Sequence, residues 1–144
     1  MDRKEEALSS FGKGFNCCQS VLRAYARNFD LSEETALRLA GAFGGGIAGS
    51  GETCGAVTGG LMVIGLKHGM TDPQDLKSKE KSHEQGRRFM EGFARLFGST
   101  KCRDLLGCDP GTKEGRERAL SLGLFKNLCP TFVGRAIELL EEVG

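Results

Sequence analysis

Apolar residues recur at helical spacing along almost the whole chain. Near the C-terminus Phe132, Val133, Ala136, Ile137, Leu140 and Val143 fall on one face, with Arg135, Glu138, Glu141 and Glu142 on the other. That is the three- and four-residue rhythm of an amphipathic α-helix. The same rhythm runs through Phe89, Met90, Phe93, Ala94 and Phe97, behind the polar stretch Lys77–Arg88. It returns at Val21, Leu22, Tyr25, Ala26 and Phe29, and at Ala36, Leu37, Ala40 and Phe43. No segment alternates apolar and polar residues over a useful length, so no strand is expected. The pattern predicts an all-α protein, a compact bundle of about five to six helices in a single domain over residues 1–144.

Start signals place the helices more finely. Ser32 before Glu33 and Glu34 reads as an N-cap with an acidic first turn. Asp72-Pro73 reads as a cap followed by proline at the first helical position. Four cysteines fall at such starts. Asn16 would cap a helix opening with Cys17, and Thr53 one opening with Cys54. Ser99 would cap one carrying Cys102 at its third position, and Cys129 would itself cap a helix beginning at Pro130. A thiol in a first turn meets unpaired N–H groups and the positive end of the helix dipole. Both favour thiolate, the form that binds metals and attacks disulfides. Cys17, Cys54, Cys102 and Cys129 are therefore the candidate redox-active and metal-ligating set.

Cys18 and Cys108 fall outside it. Successive helical residues point about 100° apart, so Cys17 and Cys18 do not aim at one centre. Cys108 follows Gly107, a helix stop, in the loop 107–115. Both read as secondary thiols. No two cysteines stand in CxxC spacing, which sets the chain apart from zinc fingers, thioredoxins and bacterial ferredoxins. A shared site would have to be assembled from separate helices, as bundle cores do for metals.

Residues 44–51 hold five glycines in eight positions and are expected to form a glycine-rich loop before the Cys54 helix. No strand precedes them, the Gly-Lys-Ser/Thr ending of a P-loop is missing, and no dinucleotide fingerprint is present. Gly51, Gly55 and Gly59 recur every four residues and would make a smooth stripe against which a helix or a cofactor could lie.

Composition narrows the field. The 20 basic and 19 acidic side chains leave a net charge of +1, which gives no footing for nucleic acid. The longest nearly apolar stretch, Ala56 to Leu66, falls well short of the roughly 20 residues of a membrane span. The charged start MDRKEEALSS lacks the apolar run of a secretory signal, so a cytoplasmic protein is expected. Six cysteines in that compartment point to metal or redox work, not to structural disulfides. His68 and His83 lie outside any HExxH pattern and read as polar-face residues, with His68 a candidate support near the Cys54 helix. Glu52, close to Cys54, is a candidate proton relay or an exposed carboxylate, and Lys77–Arg88 a solvated face or a dock for an acidic partner.

The segments Gly14–Val21 (GFNCCQSV) and Gly44–Gly60 (ending GETCGAVTGG), with Cys102–Gly107 and Cys129, resemble the C_GCAxxG_C_C family of small redox-active proteins. That family is defined by four cysteines around a Cys-Gly-Ala-x-x-Gly motif, matched here by Cys54-Gly55-Ala56-Val57-Thr58-Gly59. The resemblance covers nearly the whole chain. It implies a helical redox protein and puts the four family cysteines at Cys17, Cys54, Cys102 and Cys129. The chain departs from the pattern at Cys18, where the family usually has alanine, and in having Cys108. A similar segment in split-Soret-type multihaem cytochromes favours electron transfer and an iron–sulfur cluster. The chain has no CxxCH, so no haem is carried over. Two further readings use the same cysteines, thiol–disulfide exchange and a structural zinc site. A helical scaffold with incidental cysteines is the non-chemical alternative. Electron transfer calls for a redox partner protein, and a homodimer is compatible with a bundle of this size.

Overall fold

A computed structural model describes residues 1–144. Its helices begin where polar side chains can satisfy open first-turn amides. Asp2 and Glu5 form a capping box at the start of α1 (Arg3–Gly12), and Asn16 and Gln19 form another at α2 (Cys17–Ala26). Ser32 caps α3 (Glu33–Leu39), Asp75 caps α5 (Leu76–Phe97) and Thr112 caps α7 (Lys113–Ser121). Cys54, Lys101 and Gly123 precede α4 (Gly55–His68), α6 (Cys102–Leu106) and α8 (Leu124–Val143) without a side-chain cap. Two 3-10 turns, Arg27–Phe29 and Gly41–Phe43, complete the order.

The protein is all-α, but it has eight α-helices where the apolar rhythm suggested five to six. The uncounted α1 and α7 bury little. Helix α1 buries only Ala7 and Ser10, and α7 only Gly115 and Ala119. Neither carries a wide apolar stripe for sequence patterning to register. Instead α1 docks on α8, with Arg3 and Lys4 paired to Glu141 and Glu138. The start expected at Asp72-Pro73 is also displaced. Those residues make a turn in which the Asp75 amide donates to the Asp72 carbonyl, and the helix begins at Leu76.

One connected core joins α2, α4, α5 and α8. Phe89 and Phe93 are fully buried, each worth roughly 1.5–3 kcal/mol relative to exposure. Phe97 stacks edge-on against Phe132 with ring centroids 5.0 Å apart, and Phe93 lies 4.9 Å from Phe97. Glycines in α4 make this packing close. A Cβ on Gly60 would stand 2.2 Å from the Phe89 ring, and one on Gly59 would stand 3.0 Å from the Cys18 carbonyl oxygen. The Tyr25 hydroxyl donates to Glu141 at 3.0 Å while Arg3 and Lys67 lie against its ring. Burial and the neighbouring carboxylate push the Tyr25 pKa up. No helix is long and apolar enough to cross a membrane.

Candidate functional site

Cys17 is the first residue of α2, held there by the Asn16–Gln19 box. The Asn16 amide donates to Gln19 at 3.0 Å, and its side chain also donates to the carbonyls of Ala40 and Gly41. This ties the start of α2 to the turn that leads into the glycine segment.

Cys54 and Cys102 are brought together by a short antiparallel clasp around Thr53 and Lys101. The Cys54 amide donates to Thr100 at 2.8 Å, and the Cys102 amide donates to Glu52 at 2.7 Å. The clasp displaces both expected caps. Thr53 sits in the bridge, so Cys54 itself is the N-cap of α4, while Cys102 opens α6 behind Lys101, with Ser99 accepting from the Lys101 amide.

Cys129 departs further from expectation. It is not a helix start but lies in the second turn of α8, with Pro130 inside the helix. The chain enters α8 through Gly123 in the left-handed region, which places Leu124 and Phe125 ahead of the proline. Pro130 lacks the N–H that would reach the Lys126 carbonyl, so the helical ladder is interrupted one turn ahead of it.

Between Gly45 and Gly49 five consecutive residues have positive φ, including Ile47 and Ala48. A non-glycine residue in this region costs roughly 1–2 kcal/mol. Residues 44–51 form turns, with the amides of Gly51 and Glu52 donating back to Gly45 and Gly46. Gly46 lies hard against Cys102; a Cβ there would stand 2.6 Å from the Cys102 Cβ.

All four cysteines line one cavity of about 550 Å³. Its other walls include Phe11, Phe15, Phe125 and Phe132, the backbone of Gly45, Gly46 and Gly55, and a single charged side chain, Lys126. The Cys17 thiol lies against those of Cys54 and Cys129, and Cys102 lines the same wall. No group of three or more Cys, His, Asp or Glu side chains is gathered tightly enough to hold a metal ion.

Electrostatics divide the set. Cys54 is held below the ordinary thiol value by the Cys17 thiol and by the Ala56 and Val57 amides of α4, against the opposing effect of burial. Cys17 is raised by its thiol contacts with Cys129 and Cys54 and by burial. Burial, with the charges of Cys54 and Cys129, pushes Cys102 up to about 12. Helix starts alone were expected to favour thiolate throughout; contact with the neighbouring thiols reverses this at Cys17, and burial reverses it at Cys102.

The remaining candidates are placed elsewhere. Cys18 is fully buried in the core beside Met62, and burial raises it to about 11. Cys108 is half-buried and lies off the cavity wall. The stripe of Gly51, Gly55 and Gly59 is broken, because Gly51 precedes the helix at φ 74. Gly51 packs on Asp109, whereas Gly55 and Gly59 receive α2 at Cys17, Cys18 and Val21. His68 sits at the opposite end of α4, bonded to the Gly144 carbonyl, and His83 is exposed. Glu52 pairs with Arg103 at 3.3 Å, off the cavity. The charged residues of Lys77–Arg88 are exposed. Sequence reasoning missed Lys126. Its spacing of three from Cys129 puts both on one helical face, a signal that could have found it.

No curated protein and no solved structure matches the chain. The family model described as "Putative redox-active protein (C_GCAxxG_C_C)" matches residues 15–143, a span that contains every cysteine of the cavity. The chain belongs to that family.

Proposed function

We propose that the protein transfers electrons through an iron–sulfur cluster carried by Cys17, Cys54, Cys102 and Cys129. The supporting observation is that thiols from four separate helices meet on one cavity of about 550 Å³. The residues suit such a group. Four cysteines are the common ligand complement of a cluster, and thiols ranged around a cavity suit a multi-atom group better than a single zinc ion. Glycines keep side chains out of the cradle beside Cys102. When bound, the cluster would supply one-electron chemistry, and a redox partner protein would exchange electrons with it.

The chain's own residues govern loading. Cys54 is held below the ordinary thiol value and Cys17 and Cys102 above it, so a positively charged centre would draw the protons from the latter two. Uptake therefore releases protons and is favoured as pH rises. The first-turn amides of α4 at Cys54 favour negative charge there.

A second reading rests on the Cys17–Cys54 pair. Their opposite shifts suit a nucleophilic Cys54 and a partner Cys17 that closes a disulfide. Purification without oxygen separates the two. Visible absorption with iron and acid-labile sulfide is expected, lost on replacing any of the four cavity cysteines by alanine and kept in Cys18→Ala and Cys108→Ala. A colourless, metal-free protein that loses thiols in pairs on exposure to air would favour exchange. Zinc without sulfide would overturn both.

A further inference from the structure

Beyond its thiols, the cavity has a wall suited to negative charge. Lys126 is the one charged side chain lining it, and no carboxylate pairs with it. Gly45 and Gly46 line the same cavity. The left-handed turn engages their carbonyls with the amides of Gly51 and Glu52, yet their own amides find no acceptor in the protein. Gly46 is buried. A buried N–H without a partner is rare, because it forgoes the hydrogen bond it had with water. No Asp or Glu lines the cavity, and Phe11, Phe15 and Phe125 supply apolar surface.

We propose that this cavity binds a small molecule with an anionic group, such as a carboxylate, on an apolar body. Lys126 and the Gly45 and Gly46 amides receive the anion, and Phe11, Phe15 and Phe125 receive the apolar part. The volume of about 550 Å³ lies within the usual span of small-molecule sites. The inference rests on the cavity thiols being the reactive centre, and it names the class of molecule that reaches them.

Two aromatic disulfides test it on the reduced, metal-free protein. Dithiobis-nitrobenzoate carries a carboxylate on each ring, and dithiodipyridine is neutral. With either one, a cysteine thiolate forms a mixed disulfide and expels an aromatic thiolate whose absorbance gives the rate. A Cys108→Ala background removes the partly exposed thiol outside the cavity. Lys126→Gln should slow the carboxylate reagent about fivefold more than the neutral one. Lys126→Arg should restore the rate. Benzoate should protect the parent protein and fail to protect Lys126→Gln. Lys77→Gln, on α5, controls for net charge. Equal slowing with both reagents, an equal loss in Lys77→Gln, or no protection by benzoate in the parent overturns the proposal. Because no metal takes part, a colourless protein in the anaerobic experiment leaves this inference standing. Loss of charge discrimination likewise leaves the iron–sulfur reading standing.

Discussion

The cavity thiols ionise in an order that their neighbours impose. Cys54 is lowered by the Cys17 thiol and two first-turn amides, while burial and nearby sulfur charge hold Cys102 near 12. Iodoacetamide at about pH 8 should therefore label Cys54 well ahead of Cys102 in the metal-free protein. Peptide mass spectrometry after short labelling times reads the order, and equal labelling would contradict it. Glycines give a second contrast within one helix. At Gly60 a Cβ would enter the Phe89 ring, whereas Gly65 has open space around it. Gly60→Ala should destabilise by about 1–3 kcal/mol through overpacking. Gly65→Ala should stabilise by about 1 kcal/mol, because alanine is the better helix former. Urea unfolding of the two variants measures both signs.

At the scale of elements, the start of α2 supports both fold and site. Asn16 caps the helix and holds the carbonyls of Ala40 and Gly41. Asn16→Ala should cost about 1–2 kcal/mol in chemical denaturation, the upper part of the range for a lost cap. It should also loosen Cys17, seen as faster alkylation. This start was legible because its signal is local: Asn16, Gln19 and the apolar face behind them lie within a few residues. The start of α8 was not. Cys129-Pro130 imitates a helix opening, yet Gly123 starts the helix earlier and the apolar face of Phe125, Leu128 and Phe132 carries it through the proline. The clasp was equally hidden, since the backbone bonds joining Glu52 and Cys54 to Thr100 and Cys102 depend on tertiary approach and leave no mark in local residue preference. The four cavity cysteines could thus be singled out in sequence, while the relation between them could not.

For the whole molecule, the raised thiols link folding to alkalinity. Cys18 near 11 and Cys102 near 12 keep their protons in the fold, whereas unfolded thiols lose theirs near 9. Protons bound more tightly by the folded state mean that this stability is fully present below about pH 9 and fades as pH rises through 11 to 12. Urea midpoints of the metal-free protein should fall over that window. Cys18→Ala should flatten part of the fall, and a midpoint that stays constant would show that the thiols do not titrate as described. The clasp between residues 51–54 and 100–103 has a further consequence. Its three amides, those of Cys54, Cys102 and Arg103, are held by Thr100, Glu52 and Gly51. Their exchange with deuterated solvent is a clock for local opening of the site, distinct from global unfolding. A group bound across Cys54 and Cys102 should slow all three together while frayed ends elsewhere keep their rates.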